Sequence, residues 1–198
     1  MIQIDSILNP FIVTRTAIAG LTVVIADFSV GERDVQIVHR IKIQIIIAVD
    51  INPAVRQRAL EIGADFAFDS RDDDLHGKLA EVTGGRKLDV AFDAVGIRAT
   101  FEQALDSLTV GGRLVAVGMS SEAPSVGPTS MFGLSQRQVL GHLGYRNSDI
   151  EILATLVSRG RLDLTRSISQ IIPLEKIHDG ISDLENGAGN PIRILVQP

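Results

Sequence analysis

From Asp50 onward, short runs rich in Val, Ile and Phe alternate with stretches in which apolar residues recur every three to four positions. That alternation is the mark of βα units on a mostly parallel sheet, so the expected fold class is α/β. The β-rich runs are residues 45–49, 66–68, 88–93, 113–117, 139–143, 168–172 and 192–196, each bounded by Gly, Asp or Pro. Several are continuously apolar rather than alternating, which predicts strands covered on both faces. A helix is predicted over residues 52–62, with Asn52 as its cap, Pro53 at its first position and Gly63 just past its end. Residues 148–159 place Ile150, Leu153, Ala154 and Val157 on one face and stop at Gly160, and residues 174–185 repeat Leu174, Ile177, Ile181 and Leu184 at helical spacing. A shorter helix over residues 101–108 leads into a turn at Gly111-Gly112. Residues 120–131 are rich in Ser, Pro and Gly without periodicity and read as a long loop, either functional or a plain connector.

Composition narrows the classes. With 198 residues, 45% of them hydrophobic and 22% charged, the chain can bury a core as one large domain or as a domain plus a fragment. The net charge is −5, from 19 Lys+Arg against 24 Asp+Glu, and the basic residues are scattered, so nucleic acid is not an expected partner. Cysteine is absent, which removes disulfides and thiolate zinc sites and makes a reducing compartment, the cytoplasm, the expected location. The apolar stretches at residues 17–26 and 45–49 fall short of the ~20 residues of a membrane helix, so no membrane partner is expected. Arg15 followed by residues 17–26 also has the outline of a signal peptide, but Asp5 offsets the charge and no convincing cleavage site follows. His39, His76, His142 and His178 fall in four different elements without ligand spacing, so no metal site is expected. No GxSxG elbow occurs, which leaves a hydrolase reading without its anchor.

Several motifs then follow in order: AGLT at residues 19–22, VGERDVQIV at 30–38, IIAVDINPAVRQRALEIGAD at 46–65, LDVAFDAVG at 88–96, LTVGGRLVAVG at 108–118, GYRNSDIEILATLVSRGRL at 144–162, IIPLEKIHDGISDLENG at 171–187 and PIRILVQP at 191–198. Together they resemble the medium-chain dehydrogenase/reductase family, and within it the zinc-type alcohol dehydrogenases. The resemblance implies a Rossmann-like, doubly wound and mostly parallel sheet over residues 30–198. Residues 1–29 are then a remnant of the link to an absent catalytic domain. It implies NAD-linked hydride transfer from an alcohol, with zinc held by that other domain. Ile18 stands where a zinc-binding cysteine is often found, so zinc is not expected to be bound by this chain. Two other readings stay open: a non-enzymatic α/β assembly module, and a zinc-independent quinone-reductase-like protein. The resemblance also implies a homodimer formed through the sheet edge near residues 139–143.

It also implies the site residues. Asp50 ends a strand where a carboxylate can accept both hydroxyls of an adenosine ribose and repel a 2′-phosphate, favouring NAD; alternatively it caps the next helix. Arg56 either stacks on adenine or stays solvated on the helix surface. Asp93, Ala94, Val95 and Gly96 would pass beside the adenosine, with Gly96 permitting close approach, unless this is an ordinary strand-to-helix turn capped by Asp93. Val117, Gly118 and Met119 would lie against the nicotinamide amide. Arg193 would meet the pyrophosphate, or is a surface arginine on an edge strand.

One part of the pattern is missing. A dinucleotide site needs a strand, a glycine turn and a helix N-terminus facing the pyrophosphate before the strand that ends in the ribose acid. Residues 35–38 resemble the first strand and 45–49 the second, yet only residues 39–44 lie between them, and no glycine occurs from 32 to 62. A parallel crossover takes roughly a dozen residues or more. Either residues 35–49 run as one strand, or one strand of the family is not in the sheet. An exposed strand of this composition would have to be covered by another chain or by residues 2–25. Both alternatives lose the anion-binding helix end, and weak or absent NAD binding is expected.

Overall fold

A computed structural model describes residues 22–26 and 45–198, apart from 146, 188 and 190. The predictions for Ile18, His39 and residues 27–44 lie outside the described residues. The chain divides into two compact units, one spanning residues 20–144 and the other containing residues 145–198.

In the first unit, β1 (Thr22–Ala26), β2 (Ile45–Val49), β3 (Phe66–Phe68), β4 (Leu88–Asp93), β5 (Leu108–Ala116) and β6 (Gln138–Gly141) form one sheet in the order β3-β2-β1-β4-β5-β6. The pairs β2–β3, β4–β5 and β5–β6 are parallel. β1 is antiparallel to both of its neighbours, with Thr22 opposite Val49, Ala26 opposite Ile45 and Val23 opposite Phe92. β2 through β6 therefore share one direction and β1 alone opposes it. The fold is Rossmann-like α/β, as expected, and the run that covers β2 comes from residues 22–26. An antiparallel neighbour needs no helix to recross the sheet, so this arrangement sidesteps the crossover that the sequence is too short to make.

The β2 run Ile46, Ile47, Ala48 and Val49 is buried throughout, which is what continuous apolarity predicts for a strand covered on both faces. Ile47 and Val49 join Leu75, Leu79, Leu88, Ala91, Phe101, Ala104, Leu105, Leu108 and Leu114 in the main core. The helix α1 (Pro53–Glu61) starts as its sequence dictates, with Asn52 Oδ1 accepting from the Ala54 amide at 2.9 Å. α2 (Leu75–Val82) was not legible in the sequence; it supplies Leu75 and Leu79 to the core. α3 is Arg98–Asp106, beginning three residues before the predicted start.

The predicted turn at Gly111-Gly112 lies inside β5. Leu108 pairs with Leu88 but Arg113 pairs with Val90, so an advance of five residues on β5 (108 to 113) matches an advance of two on β4 (88 to 90), and the strand bulges and then resumes. Gly111 takes φ 77° there, a conformation glycine adopts without steric cost. The long loop ends earlier than expected, because α4 (Thr129–Ser135) begins inside it.

In the second unit, α5 (Asn147–Ser158) matches the predicted helix. β7 (Gln170–Pro173) and β8 (Ile194–Gln197) pair in parallel and are linked through α6 (Ile177–Asn186), with a 3₁₀ turn at Leu174–Lys176 before it. Gly180 of α6 is buried against Ile172, where a Cβ would come within 2.6 Å of the Ile172 Cδ1.

Candidate functional site

Because β2 to β6 share a direction, Asp93 ends its strand and Asp50, Asp69 and Val117 follow theirs along one edge of the sheet. In open α/β sheets this edge, where the strand order reverses, is where ligands bind.

Asp93 is fully buried. Its Oδ1 accepts from the amides of Val95 and Gly96, each at 3.1 Å, and from Thr100 Oγ1 at 3.0 Å, while its backbone carbonyl accepts from the amides of Val117 and Gly118, both at 2.9 Å. One residue thus ties the end of β4 to the start of α3 and to the end of β5. The side chain bonds within the turn after β4 and to Thr100, while the cap of α3 is Ile97, without a side-chain bond; Oδ2 is buried without a partner among the described residues.

The glycines explain why this knot is tight. Gly96 has φ 83°, and a Cβ on it would lie 2.4 Å from the Gly118 carbonyl carbon; a Cβ on Gly118 would lie 2.3 Å from the Val95 carbonyl carbon. The two loops cross backbone on backbone, leaving Val95, Val117 and Met119 exposed around the crossing. The 120–128 loop is latched over it. Ser120 Oγ donates to the Gly96 carbonyl at 2.5 Å, Glu122 Oε2 accepts from the Arg98 amide at 2.6 Å, and Glu102 Oε1 accepts from the Ser125 amide at 2.8 Å. Thr100, Ser120, Glu102 and Glu122 were not singled out in the sequence: the last three bond partners 23 or 24 residues away, and Thr100 bonds Asp93 seven residues back across a turn, and no spacing rule links such pairs.

Asp50 follows β2 with its Oδ1 accepting from the Asn52 amide at 2.7 Å. Burial holds its carboxyl above the ordinary carboxylate range, opposed by the Asn52 bond and by the Arg56 charge, and reinforced by Asp69. Arg56 Nη1 donates to the Asp50 carbonyl at 2.7 Å and to Asp69 Oδ2 at 3.0 Å, so its guanidinium joins the ends of β2 and β3. Asp69 Oδ1 accepts from the Arg71 amide at 2.9 Å; that bond leads the influences holding Asp69 below the usual carboxylate value. Arg193 belongs to the second unit, where its exposed side chain donates to Ser167 Oγ at 2.8 Å.

A six-stranded sheet in this order, with an acidic residue after β2 and a glycine crossing after β4 and β5, defines a Rossmann-like α/β domain. The chain belongs to the zinc-binding dehydrogenase family, whose model matches residues 29–159. It is 30% identical over 159 residues to the (R,R)-butanediol dehydrogenase of Bacillus subtilis, covering 77% of this chain and 43% of that enzyme. The crystal structure of the 2R,3R-butanediol dehydrogenase from Bacillus subtilis superposes with a TM-score of 0.67 at 29% identity, covering 77% of this chain and 43% of that one. Over a shorter span of 67 residues, 34% of this chain and 20% of its relative, identity to quinone oxidoreductase 1 of Escherichia coli K12 reaches 45%. The chain thus spans less than half the length of the butanediol dehydrogenase it matches.

The family's name implies zinc. The donor set does not fit it: the chain has no cysteine, and among the described residues no three of His, Asp or Glu converge. Among the described residues no helix is long and apolar enough to cross a membrane.

Proposed function

We propose that this chain is the coenzyme-side portion of an NAD-linked alcohol dehydrogenase, that its grip is confined to the adenosine end, and that its hold on the pyrophosphate is lost. The observation that carries this reading is the direction of β1. In a dinucleotide fold the central strand delivers its carboxyl end, and then a glycine turn and helix N-terminus, to the ligand edge. Here Thr22, the start of β1, is opposite Val49 at that edge, and Ala26, its end, is opposite Ile45 at the other. The chain leaves β1 on the wrong side of the sheet to cradle phosphates.

The adenosine end fits better. Asp50 Oδ2 is not used by the helix cap, so the carboxylate keeps an oxygen for ribose hydroxyls, and a dinucleotide bound there would serve as the hydride acceptor of the family's chemistry. The Ala94-Val95-Gly96 turn, in which Val95 is exposed, and the exposed apolar side chains of Val117 and Met119 would flank it. On this reading 5′-AMP binds weakly and Asp50→Ala abolishes binding, checked by saturation-transfer NMR; binding of 5′-AMP unchanged in Asp50→Ala would sink the assignment. Because the ribose hydroxyls need the ionised carboxylate, affinity is present at neutral pH. It falls as pH drops through the Asp50 pKa, which burial raises, so the loss begins at a higher pH than for an ordinary aspartate. A zinc-independent quinone-reductase-like activity is the second reading, favoured by the identity to quinone oxidoreductase 1.

Assembly is the other part of the proposal. Among the described residues β6 is the last strand of its sheet, and Leu143, just past it, is 80% exposed, with Met131 and Leu134 of α4 also exposed. An apolar edge of this kind favours pairing with a second copy. A dimer is expected by sedimentation velocity, and Leu143→Asp is expected to shift it to monomer; a monomeric unaltered chain would contradict the assignment.

A further inference from the structure

Beyond the ribose acid, the edge of the sheet holds a second carboxylate whose role is set by what it binds. Arg56 is the cation closest in bonding to Asp50, donating to its carbonyl, yet the same Nη1 is committed to Asp69 Oδ2 at 3.0 Å. Asp69 is itself fixed, because its other oxygen accepts from the Arg71 amide and its backbone follows β3, whose Phe68 carbonyl accepts from the Asp50 amide at 3.1 Å. Arg56 therefore ties the Asp50 main chain to the Asp69 carboxylate across the carboxyl ends of β2 and β3.

We propose that Asp69 is a specificity-determining residue: by holding the Arg56 guanidinium against the Asp50 carbonyl, it withholds that cation from a 2′-phosphate and adds a second negative charge where one would sit. The inference rests on the adenosine site proposed above. Its physical basis is position rather than a shortage of donors: both bonds are made by Nη1, and swinging the guanidinium toward a 2′-phosphate must break them. With Asp50 alone, a neighbouring arginine could still offset the repulsion. With Asp69 engaged it does not. The position carries no motif, and 13 residues separate it from Arg56, so only the parallel register of β2 and β3 brings the two together.

The test compares 5′-AMP with 2′-AMP by calorimetric titration of the full chain. The unaltered chain is expected to prefer 5′-AMP at least about tenfold. Asp69→Asn keeps an acceptor for the Arg71 amide but releases Arg56, and is expected to move the preference about tenfold toward 2′-AMP. In the double variant Asp69→Asn/Arg56→Met that shift is expected to disappear, and Arg56→Met alone is expected to keep the preference for 5′-AMP. An unchanged ratio in Asp69→Asn, or a shift that persists without Arg56, overturns the inference while leaving the adenosine site standing. No binding of 5′-AMP by the unaltered chain removes the adenosine site itself, and the inference with it. Thermal melts of each variant separate loss of selectivity from loss of fold.

Discussion

Gly118→Ala is expected to lower the stability of the first unit by about 3 kcal/mol, a fall in melting temperature of roughly 6–12 °C for a chain of this size. The added methyl would meet the Val95 carbonyl carbon at 2.3 Å, the Gly96 nitrogen at 2.4 Å and the Ala94 carbonyl carbon at 2.7 Å. All three are backbone atoms, so no rotamer change can clear them, and the crossing of the two loops must open. Gly133→Ala is the control, since nothing lies within 4 Å of its added Cβ and it sits in α4, where alanine is the better helix former. Differential scanning calorimetry checks both. Equal melting temperatures for the two variants would show that the loops do not cross as described.

The second large effect is at Asp93. Asp93→Ala removes the acceptor of two amides and one hydroxyl in a fully buried position, and orphaned donors of that kind cost about 1–3 kcal/mol each. A total loss of about 3 kcal/mol or more is expected. Amide exchange should rise most at Val95 and Gly96, the two amides that lose their acceptor. Since Asp93 and Gly118 hold the same crossing, the double variant should cost less than the sum of the two. Strict additivity would mean that the two residues act on separate structures.

Much of the scaffold was legible because its causes are local. The buried β2 strand follows from five consecutive apolar residues, and α1 from Asn52, Pro53 and Gly63 at its ends. What was not legible depends on partners distant in sequence. The direction of β1 is settled by pairing with β2 and β4, and a run such as Thr22–Ala26 carries no mark of which way it will lie. The bulge in β5 looked like a turn because Gly111-Gly112 is turn chemistry, and only the register with β4 shows the strand continuing past it. α2 is eight residues long, follows an acidic run and contains Gly77, so its periodicity was too short to stand out. Within the site, Asp50 and the Gly96 and Gly118 loops stood out by type and position. Asp69, Thr100 and Glu122 did not, since their roles arise from bonds across 13, 7 and 24 residues.

The reversed central strand is the feature with the largest functional consequence. Backbone amides at a helix N-terminus each supply a charge-assisted hydrogen bond of roughly 1.5–3 kcal/mol to a pyrophosphate. Loss of two such bonds weakens binding by roughly a hundredfold or more. Calorimetric titration of the chain with NAD tests this most directly. The account predicts that NAD binds no tighter than 5′-AMP, with no affinity in the micromolar range; a micromolar dissociation constant for NAD would contradict it.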